Sequence, residues 1–92
     1  MNKYISEYID FLKIEKRQSP NTLAAYRHDV SFFAKYLLSK RLDDARTSDV
    51  RSFLVFLRNE RGLASSSVAR CLSSLKSLYD YLFVENLILE NP

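Results

Sequence analysis

Apolar side chains return every three or four residues along almost the whole chain, the spacing that lines one side of an α-helix. From Lys3 to about Lys16 the stripe is Ile5, Tyr8, Ile9 and Leu12. A second stripe runs through Leu23, Tyr26, Val30, Phe33 and Leu37, and stops at Lys40-Arg41-Leu42-Asp43-Asp44, which reads as a loop. A third buries Val50, Phe53, Leu54 and Leu57. The fourth and longest takes Val68, Cys71, Leu72, Leu75, either Leu78 or Tyr79, and Leu82.

Start and stop signals fall between these stripes. Ser19-Pro20-Asn21-Thr22 opens the second helix, with Ser19 as the cap and Pro20 at the first helical position, where its missing N–H costs nothing. The third begins at Thr47 or Ser48, carries Asp49 in its first turn, and ends before Gly62, which suits the left-handed position after a helix. Ser65-Ser66-Ser67 offers caps for the fourth, and Asn86 a left-handed close. The chain then leaves through Leu87, Ile88, Leu89 and Asn91-Pro92, with room for a short fifth helix. The pattern predicts an all-α fold, a single compact bundle of four main helices over residues 1–92.

Composition narrows this further. One glycine and two prolines are too few for the turns of an all-β domain. With Cys71 as the only cysteine and His28 as the only histidine, no internal disulfide forms and no metal site or cofactor is expected. No apolar run approaches the roughly 18 residues of a membrane span, and Met1 leads into an amphipathic pattern, so a cytoplasmic protein is expected.

The net charge of +3 is unevenly spread. Residues 1–50 hold nine Lys/Arg against seven Asp/Glu, residues 51–76 five against one, and residues 77–92 none against three. The basic excess is therefore local to the third helix and the first half of the fourth. Solvation of helix surfaces accounts for such charges as well as a polyanion does.

Little points to catalysis, which needs a nucleophile beside a base or carboxylates on a pocket. His28 reads as a solvent-facing residue. Tyr8 and Tyr26 fall on core stripes, and Tyr4, Tyr36, Tyr79 and Tyr81 on the flanks of apolar faces, so packing accounts for all six tyrosines. Asp43-Asp44 has no third oxygen ligand spaced to complete a metal site.

Two polar faces are more informative. Helix two opens with Asn21, Thr22, Ala25 and Arg27 at a positive dipole end, which suits a phosphate, although Asn21 and Thr22 equally serve the cap. Helix four carries Ser66, Ser67, Arg70, Ser73, Ser74 and Ser77, with Lys76 to one side. Serine is a mediocre helix former, so a surface chosen for stability would not use it. Small hydroxyls let the helix lie close to DNA, with Arg70 and Lys76 reaching phosphates or base edges, or close to another helix. The residues alone leave both readings open.

These two stretches carry a family resemblance. The run from Ser19 to Val30, with Asn21-Thr22-Leu23, Tyr26-Arg27 and Asp29-Val30, resembles the helix-two signature of the tyrosine recombinases, or phage integrases, of the Xer type. Gly62-Leu63 followed by Ser67-Val68-Ala69-Arg70 and on to Leu82 resembles the helix-four signature more closely, and Asn91-Pro92 fits the ending. Ser67 stands where threonine is common, Lys76 where arginine is, and Asn86 where glycine is. Lysine there loses bidentate geometry.

The resemblance implies an orthogonal, SAM-like core-binding domain whose helices two and four lie against the major groove of double-stranded DNA. A following catalytic domain, absent from this chain, closes on the opposite side and supplies the nucleophilic tyrosine. No His-x-x-Arg of that catalytic set occurs here, so the chain is expected to bind DNA without cutting it. The family's DNA-facing positions map onto Asn21, Thr22, Ala25 and Arg27, and onto Ser67, Arg70, Ser74 and Lys76, with Arg70 foremost. Helix one, through Tyr4, Tyr8 and Phe11, is expected to meet a neighbouring protomer in a tetramer on DNA. Two rivals remain: the DNA reader of a regulator that recombines nothing, and a helical protein-interaction module using the serine face.

Overall fold

In a computed structural model that describes residues 3–38 and 40–88, the four stripes become four helices: α1 (Lys3–Ile14), α2 (Pro20–Tyr36), α3 (Thr47–Asn59) and α4 (Ser65–Val84). The described residues contain no strand. Ile5, Tyr8, Ile9 and Leu12 are the buried residues of α1, as the spacing predicts. The helix stops at Ile14, two residues early, and the chain turns through Arg17 at φ 51.

Helix α2 starts as its sequence dictates, with Ser19 Oγ accepting from the Thr22 amide at 3.2 Å and Pro20 at the first position. Helix α3 begins at Thr47. The Asp49 carboxylate reaches back to the Arg46 amide at 2.8 Å and satisfies a donor that no helical carbonyl meets. Gly62 and Asn86 both take the left-handed conformation, at φ 64 and φ 61. After Asn86 the Leu87 amide returns to the Leu82 carbonyl at 2.9 Å and closes the end of α4.

Three expectations need correction. The cap of α4 is the extended Ala64, whose side chain makes no bond, and Ser65, Ser66 and Ser67 occupy the first helical turn instead. The stretch read as a plain loop holds a short 3-10 turn, Leu42–Asp44, and Leu42 is buried, with its carbonyl receiving the Tyr79 hydroxyl at 2.7 Å. Tyr8 is wholly enclosed and donates to Ser77 Oγ at 2.8 Å, so it has no surface with which to meet another protomer. The stretch with room for a short fifth helix lies, with the Asn91-Pro92 ending, mostly outside the described residues, of which Leu87 and Ile88 are not helical.

Helix α2 lies against both α1 and α4, and α4 also against α1 and α3. Between α2 and α3 the core is aromatic: the Phe53 ring lies 5.1 Å from Phe33 and 5.2 Å from Tyr36, centroid to centroid. Leu57, Leu75, Leu78 and Leu82 complete the fully enclosed centre. The α2 stripe differs from its reading in one respect that matters for function. Leu23, Tyr26 and Leu37 are only half-buried, and the fully buried residues are Asp29, Val30 and Phe33.

Candidate nucleic-acid interface

A carboxylate has no reason to enter a helical core unless something there satisfies it. Asp29 is 1% exposed, and its two oxygens are fully engaged by α4. Arg70 Nη2 donates to Oδ1 at 2.8 Å, while Arg70 Nε at 3.0 Å and Ser74 Oγ at 2.8 Å donate to Oδ2. Burial opposes the charge of Asp29, yet the bonds from Arg70, Ser74 and Cys71 outweigh it and hold the carboxyl below its ordinary range. The same neighbourhood acts oppositely on Cys71, whose thiol is pushed up to about 11 by burial and then by Asp29.

The local sequence explains the alignment. Thr22, Ala25 and Asp29 follow one another at three and four residues on α2, and Ser67, Arg70 and Ser74 do the same on α4, so each set makes one row along its helix. The Asp29 bonds join the two rows. Of the eight residues expected at a DNA face, Arg70 and Ser74 therefore meet α2 directly through Asp29, while Thr22 and Ala25 share the row of Asp29 and Ser67 that of Arg70. Thr22, Ala25 and Ser67 are half-buried, and Asn21 and Arg27 are exposed on α2. The Arg70 side chain remains 44% exposed although its inner edge is held by Asp29.

The serine flank of α4 is divided. Ser66, Ser73 and Lys76 face solvent, Ser67 and Ser77 are half-buried, and Ser74 is fully enclosed. Two of the small residues thus serve packing inside the domain: Ser74 against Asp29, and Ser77 against the Tyr8 hydroxyl. Lys76 stands apart from the Arg70 row, sharing one hollow with Arg51 of α3 and another with Lys16 beyond α1. Asp80 and Glu85 border the second hollow, so positive charge declines toward the end of α4. His28 is exposed.

Sequence reasoning missed Asp29 as the centre of this arrangement, and with it Arg51 and Lys16 as companions of Lys76. The available signal was an acid lying between Tyr26, Val30 and Phe33 on an otherwise apolar stripe. Among the described residues no three His, Cys, Asp or Glu side chains gather as a metal site requires, and no helix is long and apolar enough to cross a membrane.

The fold and its buried acid define a small all-α, SAM-like domain whose second and fourth helices are tied through Asp29. The family model for the N-terminal SAM-like domain of phage integrases matches residues 5–86, and the chain belongs to that family. It is 39% identical over 95 residues to tyrosine recombinase XerC of Anoxybacillus flavithermus, an alignment covering 100% of this chain and 31% of that relative. Tyrosine recombinase XerD of Listeria monocytogenes is 36% identical over 96 residues, with 100% and 32% covered. The chain thus spans about a third of the length of the curated relatives it matches. No solved structure matches it.

Proposed function

We propose that residues 1–92 form the core-binding domain of a site-specific tyrosine recombinase of the Xer type, gripping double-stranded DNA through α2 and α4. Strand exchange belongs to a separate catalytic domain of the parent protein, which assembles as a tetramer on DNA. The exposed contacts are Asn21 and Arg27 on α2 and Arg70 and Lys76 on α4. Thr22, Ala25 and Ser67, half-buried in the rows of Asp29 and Arg70, offer small side chains for close approach, and Lys76 reaches the DNA from another side of α4. Ser74 acts from beneath, holding Asp29 and not the DNA.

The observation that supports this reading is the tie between the two helices: the buried Asp29 fixes α2 to α4 through Arg70 and Ser74 and leaves the Arg70 side chain 44% exposed, while Asn21 and Arg27 are exposed on α2. The basic excess of residues 51–76 lies on the same side of the argument, because phosphate neutralisation dominates DNA affinity. Fluorescence anisotropy with a labelled duplex at low ionic strength tests it. Saturable binding that weakens when Arg27 and Lys76 are both replaced by alanine is expected. No binding by the wild-type chain at low salt sinks the reading.

A further inference from the structure

Arg70 is a poor free cation, because its charge is already matched. Its two-point bond to Asp29 fixes the plane and direction of the guanidinium as a single bond does not. Asp29 is itself immobile, enclosed in the core and bonded to the fully buried Ser74. A guanidinium has five N–H donors, so Asp29 takes two and leaves three on a side chain that remains 44% exposed. The rotamer entropy that a free arginine gives up on binding has been given up in folding.

Resting on the DNA-binding reading above, we propose that Asp29 is a positioning residue, which clamps Arg70 so that its outer edge meets one phosphate in a fixed direction. Simple electrostatics predicts the opposite role. Asp29 is an anion near the DNA face, and removing its charge makes the domain more positive and its DNA binding tighter. The two accounts differ in sign.

The 92-residue chain and its variants are titrated by anisotropy against a labelled mixed-sequence duplex at low ionic strength, at a temperature where circular dichroism shows each to be folded. Arg70→Ala weakens binding about tenfold, the size of one charge-assisted hydrogen bond. Arg70→Lys weakens it comparably, since lysine keeps the charge and loses the fork. Asp29→Asn also weakens binding despite the added positive charge, and combining it with Arg70→Ala costs no more than Arg70→Ala alone. A merely structural Asp29 gives a loss that persists on the Arg70→Ala background, which overturns the proposal. So does Asp29→Asn binding as tightly as wild type or more tightly. If Asp29→Asn does not fold, Arg70→Lys decides: affinity equal to wild type overturns the clamp. Should Arg70→Ala have no effect while Lys76→Ala weakens binding, the clamp falls and the DNA reading stands. A wild-type chain that binds no duplex removes both.

Discussion

The phenol of Tyr8 sits wholly inside the domain and donates to the Ser77 hydroxyl at 2.8 Å, fastening α1 to α4 across 69 positions of sequence. Tyr8→Phe keeps the ring and removes the donor. It should destabilise the fold by about 1 kcal/mol, the net contribution of one such bond. Urea denaturation of Tyr8→Phe, Ser77→Ala and the double variant measures the coupling, and strict additivity of the two single effects would show that the bond contributes nothing.

The same enclosure makes the fold sensitive to alkali. Burial pushes the Tyr8 phenol up to about 12, and Tyr79 is raised further, by burial and then by Asp49 and Asp43. A group whose proton is held more tightly when folded contributes its full stability below the unfolded value, about 10 for tyrosine. That contribution is lost as pH rises from there through the folded value. Melting temperature should therefore fall steeply above about pH 10, and Tyr8→Phe should flatten the fall. A melting temperature indifferent to alkali contradicts this.

Asp29 governs the acid side. Its folded-state carboxyl lies below its ordinary range, so it stabilises the fold above the unfolded value and that stability is lost as pH falls through the folded one. Arg70→Ala removes the strongest influence holding the carboxyl down. It should cost about 2 kcal/mol, less than the ~3–5 of a fully enclosed pair because Arg70 is partly solvated. Acid unfolding followed by circular dichroism should move to higher pH in that variant. An unchanged acid midpoint would mean that Arg70 does not hold the Asp29 charge.

Two left-handed positions make opposite predictions. Leu38 adopts φ 57 and is 86% exposed, so it bears the backbone strain of a branched residue with almost no packing in return. Leu38→Gly should stabilise by up to about 1 kcal/mol, allowing for the greater freedom of glycine when unfolded. Gly62 adopts φ 64, and an added Cβ there meets nothing within 4 Å. Gly62→Ala should nonetheless cost about 1 kcal/mol, from the backbone alone. Thermal melts of the two variants should move in opposite directions.

What was legible in the sequence was what is decided locally. Ser19, Gly62 and Asn86 announce helix ends because capping involves neighbours in the chain, and the α1 stripe is buried just as its spacing requires. The Ala64 cap was hidden behind three serines, each of which could have taken that place. Asp29 and Ser74 were out of reach for a different reason. Periodicity assigns polar side chains to the outside, and only a partner 41 or 45 residues away makes their burial favourable. Of the polar faces, the order and spacing of the residues were readable, while the division of the α4 serines between solvent and interior depended on tertiary packing.

Salt dependence separates the cations by their state of pairing. Each phosphate neutralised by a free cation contributes about −0.9 to the slope of log affinity against log salt, because a condensed counterion is released. Lys76 is exposed, with Arg51 and Lys16 bordering its hollows, so it should contribute close to that full amount. Arg70 enters the interface already neutralised by Asp29, and its contact with a phosphate releases little more. Lys76→Ala should therefore make the slope less negative by about one, whereas Arg70→Ala should lower affinity at every salt concentration with a much smaller change of slope. Titrations over a salt series check both. Equal slope changes would mean that Arg70 leaves Asp29 to act as a free cation on the DNA.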